Sequence, residues 1–271
     1  MQILDGRNLS EKILEELKEK KKDRKLKLAV VLVGDNSASK SYITQKQKAC
    51  EKVGVSFELF NFPIDIKEEE LEVKVKEISE DKNISGIVIQ LPLPEQINSQ
   101  KILNIVPEEK DTDVLSEIAS TNFLNGKSKV LPPVVSSISH FLKEYEISLD
   151  GKNVVVVGEG RLVGKPVAQW FLNNGCKVLT VNKNTENISL ITKEGDIIIS
   201  GVGQAKLITG EMIKDGAVVI DAGISVENGS VKGDIDFESV SQKASFITPV
   251  PGGVGPLTVA CLVENLIKLN G

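Results

Sequence analysis

Apolar positions along the chain switch repeatedly between helical spacing and short unbroken runs. Residues 8–23 carry Leu9, Ile13, Leu14 and Leu17 at helical intervals with charges between them, which predicts an amphipathic helix. Leu28-Ala-Val-Val-Leu-Val33 is apolar throughout and ends at Gly34, as a strand buried on both faces of a parallel sheet would be. A helix over 38–53 stopped by Gly54, a strand over 55–62 stopped by Pro63, a charged helix over 68–80 and a short strand over 86–90 follow. The alternation then restarts with a helix over 134–147 and the strand Asn153-Val-Val-Val-Val157. After it come a helix over 167–173, strands over 177–181, 196–199 and 217–220, and a last helix over 255–269 with Leu257, Cys261, Leu262 and Leu266 on one side. Residues 111–129 have weak periodicity and are expected to form a linker and a site loop.

Strand alternating with helix implies an α/β fold with parallel sheets covered on both faces. The restart implies two α/β domains, the second a Rossmann-like, doubly wound parallel sheet. Ligands of such sheets bind beyond the carboxyl ends of the strands, so those loops are where chemistry is expected.

The 271 residues are 41% hydrophobic and 26% charged, enough for a packed core rather than disorder. A net charge of -5 argues against nucleic acid or an anionic membrane as partner. Cys50, Cys176 and Cys261 are far apart and form no C-x-x-C pair, so neither a disulfide framework nor a metal site is expected, and a reducing compartment fits. No leader-like segment follows Met1 and no apolar run is long enough for a bilayer, so the expectation is a soluble, cytoplasmic chain.

Gly158-Glu-Gly-Arg-Leu-Val-Gly164 follows a strand and opens a helix. Glycines there let main chain approach a pyrophosphate, and the helix start favours negative charge. The spacing is one residue longer than the usual dinucleotide fingerprint. A P-loop is excluded because Pro166 takes the Ser/Thr position and no glycine stands five residues before Gly164. The next strand ends in Val181-Asn182-Lys183, where an NAD enzyme usually carries an acid for the ribose hydroxyls. Lys183 could pair with a 2′-phosphate and so leans towards NADP; Glu159 would repel that phosphate and leans towards NAD.

Tyr42 and Lys46 lie four apart on the 38–53 helix and share a face that Cys50 continues. A buried lysine beside a phenol can give up its charge and move protons; a surface lysine lying on a ring is the plainer reading. Gln90 closes an apolar strand and leads into Leu91-Pro-Leu-Pro94. Asp111 and Asp113 bracket Thr112 and could bind an amide-like edge or cap a turn. Thr248-Pro-Val-Pro-Gly-Gly-Val-Gly-Pro256, which contains Pro251, Gly252 and Gly253, holds a stiff path where main chain could meet a ligand. The lone His140 reads as a core or helix-surface residue.

In order along nearly the whole chain, these segments resemble the bifunctional methylenetetrahydrofolate dehydrogenase/methenyltetrahydrofolate cyclohydrolase family. The resemblance is carried by Val31-Leu-Val-Gly-Asp-Asn-Ser-Ala-Ser39, Tyr42-x-x-x-Lys46-x-Lys-Ala-Cys50, Gly86-Ile-Val-Ile-Gln-Leu-Pro-Leu-Pro94 and Lys110-Asp-Thr-Asp113. It continues through Val163-Gly-Lys-Pro166, Ile220-Asp-Ala-Gly-Ile224, Gly233-Asp-Ile-Asp-Phe237 and Ile247-Thr-Pro-Val-Pro-Gly-Gly-Val-Gly-Pro-Leu-Thr258.

The resemblance implies a folate-binding catalytic domain over 1–138, completed by 249–271, and a dinucleotide-binding domain over 139–248, with a folate cleft between them and a homodimeric assembly. It implies oxidation of methylenetetrahydrofolate by a nicotinamide dinucleotide, then hydrolysis to 10-formyltetrahydrofolate, in the one-carbon metabolism that serves purine and amino-acid biosynthesis; NADP is the expected acceptor, on the lean of Lys183, and NAD stays open. A single-activity member or a non-catalytic folate- or nucleotide-binding remnant is the alternative. Tyr42 and Lys46 fall on the family's catalytic pair, Gln90 on the residue that helps the lysine, and Asp113 on the one that holds the pterin ring. Leu91, Pro251, Gly252 and Gly253 join the expected substrate contacts. Gly158, Glu159, Gly160, Val163, Gly164, Asn182, Lys183 and Ile224 make the expected cofactor set. The chain departs from the family pattern at Val114 (usually Gly), over 116–123, over 132–137, at Glu159-Gly160 and at Asn182.

Overall fold

The computed structural model describes residues 1–227 and 229–271. In chain order its elements are β1 (Gln2–Ile3), α1 (Gly6–Lys21), β2 (Lys27–Val33), α2 (Ser37–Val53), β3 (Ser56–Phe62), α3 (Glu68–Glu80), β4 (Gly86–Ile89), α4 (Ser99–Leu103) and α5 (Glu117–Leu124). They continue with α6 (Pro133–Glu144), β5 (Asn153–Val157), α7 (Gly164–Asn173), β6 (Lys177–Val181), α8 (Ile188–Thr192), β7 (Ile197–Ser200), β8 (Val218–Asp221), β9 (Ser225–Glu227), β10 (Ser230–Lys232), α9 (Phe237–Val240), β11 (Phe246–Ile247) and α10 (Val254–Leu269).

The chain forms two compact units. One comprises Ser10–Pro133 and Val259–Gly271, the other Met1–Leu9 and Val134–Thr258. The first holds a three-stranded parallel sheet in the order β3-β2-β4. Every residue of β2 from Leu28 onwards is buried, so both faces of the central strand are covered. Ala29, Val31 and Val33 on one face join Leu71, Val75 and Ile78 of α3 and Ile102 and Leu103 of α4 in a single apolar cluster. The second unit holds a six-stranded parallel sheet, β1-β11-β8-β7-β5-β6. β6 lies on one side of β5 and β7 on the other, so the chain reverses direction across the sheet beside β5, where open α/β sheets take their ligands. β9 and β10 pair antiparallel, apart from both parallel sheets.

The structure differs from the sequence expectation in several places. The boundary falls at Pro133/Val134, the start of α6, rather than after 138. Met1–Leu9 and residues 249–258 belong to the six-stranded unit rather than to the other. The cause is β1, whose two residues pair in parallel with β11 and are too short to show a period. Residues 111–129 contain helix α5, capped by the Ser116 hydroxyl, which accepts from the Ala119 N–H at 3.3 Å. Only Ala119 and Phe123 of that helix are buried, too few to leave a periodic signature. Helix α7 begins at Gly164, three residues before its expected start, because Pro166 sits in the first turn where no intrahelical N–H is needed. Finally, α10 is buried on nearly all sides rather than along one stripe.

Candidate active site

In the three-stranded unit the chain turns directly from the carboxyl end of β2 into α2. Asn36 caps that helix by accepting from the Ser39 N–H at 3.0 Å, and Gly54 ends it at φ 76°. Lys46 lies one turn beyond Tyr42, and its side chain is buried, with 9% exposure overall. Its ammonium donates to Gln90 Oε1 at 3.0 Å. Gln90 reaches it because β4 runs beside β2: the Gln90 N–H donates to the Val31 carbonyl at 2.9 Å, one step past the end of β4. The Gln90 amide donates through Nε2 to the Leu91 carbonyl at 2.9 Å, which leaves Oε1 facing the lysine. The Leu91-Pro92 bond that follows is cis.

The Asp111-Thr-Asp113 loop hangs on two supports. Asp111 bridges to Ile87 of β4, and its carboxylate accepts from the Leu115 N–H at 3.0 Å and the Ser116 N–H at 2.7 Å. The Thr112 hydroxyl donates to the Ile87 carbonyl at 3.3 Å, while the Thr112 carbonyl accepts from Asn265 Nδ2 of α10 at 2.9 Å. Asp111 therefore shapes the turn, and the charges of Lys46 and Asp113 act on each other. The next residue, Val114, has φ 59°, a left-handed conformation that a β-branched side chain adopts only under strain and that glycine adopts freely.

Burial governs the charges of this set. It lowers the Lys46 ammonium below its ordinary range, against the pull of Asp113 and Cys50. It raises Asp113 above the ordinary carboxylate range, with Lys46 opposing and Asp111 adding to the rise. It also raises the Tyr42 phenol, which is therefore neutral at physiological pH. One turn further along α2, the Cys50 thiol is pushed up to about 12, chiefly by burial, so it serves as packing and not as a nucleophile. An amine and a carboxyl both driven towards their neutral forms, with an amide oxygen on the amine, are suited to proton transfer.

In the six-stranded unit the glycine loop leaves β5 at the reversal point. Gly158 has φ 102° and sits against the Gly201 carbonyl, which follows β7. A Cβ on Gly164 would lie 1.9 Å from the Gly158 carbonyl oxygen, so the loop closes only with hydrogen there. Gly160, by contrast, faces open space. Val163 packs against Gly201, whose own Cβ would meet it at 2.3 Å. Beyond β7 and β8, Val202 and Ile224 leave apolar side chains 46% and 41% exposed, and the Ile224 carbonyl lies against Gly203. The tight main chain, the open space at Gly160 and the uncovered apolar side chains fit a dinucleotide. Lys183 is exposed in the turn after β6.

The loop after β7 is held by Asp234. This fully buried carboxylate accepts from the Ser200 hydroxyl at 2.7 Å and from the N–H groups of Val202, Gly203 and Gln204 at 2.7, 2.9 and 2.8 Å. Beside it, Asp221 at the end of β8 accepts from Gly223, Asp234 and Ile235 N–H groups. Burial pushes the Asp221 carboxyl up to about 6 from its ordinary 3.8, helped by the charge of Asp234 and opposed by the N–H donors. Because the folded-state value is raised, the fold holds a proton that the unfolded chain releases. This stabilises the fold at low pH, and the effect is lost as pH rises through about 6. Between pH ~4.5 and ~7.5 the loss from this one group is about 2 kcal/mol. Denaturant unfolding of wild type and Asp221→Asn at those two pH values should differ by that change; an equal difference at both would show that Asp221 does not titrate.

Pro251, Gly252 and Gly253 lie in this same unit. The Gly252 carbonyl accepts from the Arg7 N–H at 3.1 Å, and a Cβ on Gly6 would meet the Gly253 carbonyl at 1.8 Å. Their main chain is therefore engaged by the start of α1, and Pro251 itself is exposed after a cis bond. The sequence reading missed Val202, Asp234 and Asn265. A Gly-Val-Gly segment after an apolar run and the polar pair Glu264-Asn265 inside a largely apolar helix were the available signals.

A glycine loop at the reversal point of a parallel sheet, in a chain whose other unit buries a lysine–amide–carboxylate set, marks an enzyme that works with a dinucleotide. The family model for the tetrahydrofolate dehydrogenase/cyclohydrolase catalytic domain matches residues 4–113, and that for the NAD(P)-binding domain matches residues 132–270. The bifunctional protein FolD of Nautilia profundicola is 45% identical over 99% of this chain and 96% of its own. The crystal structure of bifunctional FolD methylenetetrahydrofolate dehydrogenase/cyclohydrolase from Campylobacter jejuni superposes with TM-score 0.96 at 42% identity, covering 99% of this chain and 98% of that one. The Trypanosoma brucei dehydrogenase-cyclohydrolase, complexed with NADP cofactor and inhibitor, gives TM-score 0.94 at 32% identity over 98% of this chain and 96% of that one. The chain belongs to the tetrahydrofolate dehydrogenase/cyclohydrolase family.

Proposed function

We propose that the chain oxidises 5,10-methylenetetrahydrofolate to the methenyl form and hydrolyses that product to 10-formyltetrahydrofolate. The observation that carries this reading is the buried Lys46 amine held on Gln90 Oε1 at 3.0 Å within the field of Asp113. A bound nicotinamide dinucleotide would supply the hydride acceptor for the one-carbon bridge. The six-stranded unit would hold it through Gly158, Gly160, Val163, Gly164 and Ile224, with Glu159, Asn182 and Lys183 towards the ribose. Oxidation needs positioning more than a base. Hydrolysis is different: a water must lose a proton as it attacks the electrophilic methenyl carbon. Burial makes the Lys46 amine available for that proton, Gln90 fixes the amine's direction, and Tyr42 offers a neutral hydroxyl. Asp113, whose carboxyl burial raises above the ordinary range, would hold the amide-like edge of the pterin. Leu91, Pro251, Gly252 and Gly253 are the further proposed substrate contacts.

NADP is the proposed acceptor, supported by Lys183 beyond β6 and by the NADP of the Trypanosoma relative. A homodimer is proposed on β3, the outer strand of its sheet, which leaves Leu59 45% exposed. The cytoplasm, and a place in the one-carbon supply to purine and amino-acid biosynthesis, complete the proposal; among the described residues no helix is long and apolar enough to cross a membrane. The test supplies methylenetetrahydrofolate with NADP or NAD and follows reduced nucleotide and 10-formyl product separately. Both should form. Reduced nucleotide without hydrolysis would leave a dehydrogenase alone, and hydrolysis of supplied methenyl substrate without reduction a cyclohydrolase alone.

A further inference from the structure

The Glu159 carboxylate is fixed at the carboxyl end of β6. Its Oε1 accepts from the Thr180 hydroxyl at 2.9 Å and its Oε2 from Asn182 Nδ2 at 3.0 Å. The Asn182 amide has one orientation available, because its Oδ1 accepts from the Asn184 N–H at 2.9 Å and so turns Nδ2 towards Glu159. Both hydrogen bonds, and the nearby charge of Lys165, hold the carboxyl below its ordinary range, so it is ionised at neutral pH. In a doubly wound sheet the end of the strand next to the glycine-loop strand is where the adenosine ribose of a dinucleotide lies, and an acid there accepts from the ribose hydroxyls. In this chain the strand itself supplies only Asn182, and the acid arrives from the glycine loop.

We propose that Glu159 is a specificity-determining residue: it accepts from the adenosine ribose hydroxyls and disfavours a 2′-phosphate, so that NAD is admitted alongside NADP. The inference rests on the dinucleotide use proposed above and deepens it. Thr180 and Asn182 are positioning residues that keep the carboxylate aimed across the end of the strand. A phosphate set against a carboxylate at the solvent boundary loses about tenfold in affinity through like-charge repulsion.

The test compares wild type with Glu159→Gln, which keeps an oxygen for Asn182 and an amide for Thr180 and removes only the charge. Calorimetry with ADP-ribose and with 2′,5′-ADP reads nucleotide binding without the folate reaction, and kcat/KM is measured for NADP and NAD. The expected result is a rise of about tenfold in the preference for the 2′-phosphorylated partner in both measurements. Thermal unfolding of the two proteins, followed in parallel, reports on folding. An unchanged preference, with nucleotides still bound, would overturn the role of Glu159 and leave the proposed function standing. Failure of wild type to bind either nucleotide fragment would overturn both.

Discussion

Lys46→Met abolishes hydrolysis of methenyltetrahydrofolate, with a loss of about a thousandfold, and leaves a folded protein. The size follows from removing the amine placed to take a proton. Gln90 keeps its bond to the Leu91 carbonyl and Tyr42 keeps its hydroxyl, but neither is basic at neutral pH. The fold survives because Met retains the apolar stem and removes an amine whose charge is penalised by burial. A thermal midpoint at or above that of wild type is the expected companion result. Oxidation, which depends on placement rather than on a base, should fall by about tenfold or less. The check is a spectrophotometric assay of both steps on one preparation, with thermal unfolding alongside. Hydrolysis at the wild-type rate would remove Lys46 from the chemistry.

Gly164→Ala has the opposite pattern. The new Cβ would lie 1.9 Å from the Gly158 carbonyl oxygen and 2.6 Å from its carbon, so main chain would have to move away from main chain. Gly158 cannot yield freely, because it already sits at φ 102° against Gly201 and donates its N–H to the Val181 carbonyl at 2.7 Å. The expected cost is about 3 kcal/mol, at the upper end for overpacking. Dinucleotide binding and oxidation are lost, while hydrolysis, carried by the other unit, persists in the same sample. Calorimetric binding of the nucleotide checks the first half and the cyclohydrolase assay the second. Retention of tight nucleotide binding would mean that the loop tolerates opening.

The strands buried on both faces are legible in the sequence because a short, continuous apolar run between turn residues suits a covered strand better than an amphipathic helix. The apolar run places residues 153–157 to the residue, and the bounds 177–181 hold as well, although that strand is mostly exposed. The helix at Glu68–Glu80 is equally legible, since its buried Leu71, Val75 and Ile78 keep helical spacing. Two-residue strands such as β1 and β11 carry no period, and their pairing is set by contacts across more than two hundred positions. At the site, the spacing of Tyr42 and Lys46 is visible in the sequence, but their burial is not, because burial depends on what the other elements bring. The identity of the motifs, more than their spacing, points to the lysine. The direction of Glu159 lies beyond sequence altogether, as it is decided by two side chains more than twenty residues away.

Each compact unit is assembled from two separated stretches of chain, and that interleaving governs how the protein can be made. The three-stranded unit receives Asn265, which holds the Thr112 and Leu131 carbonyls, only from the last helix. The outer strand of the other sheet comes from the first residues and finds its neighbour β11 only near the end. During synthesis on a ribosome, neither unit can close before the carboxyl-terminal segment has emerged. The unit that holds Lys46 is therefore complete only once residues 259–271 have joined it.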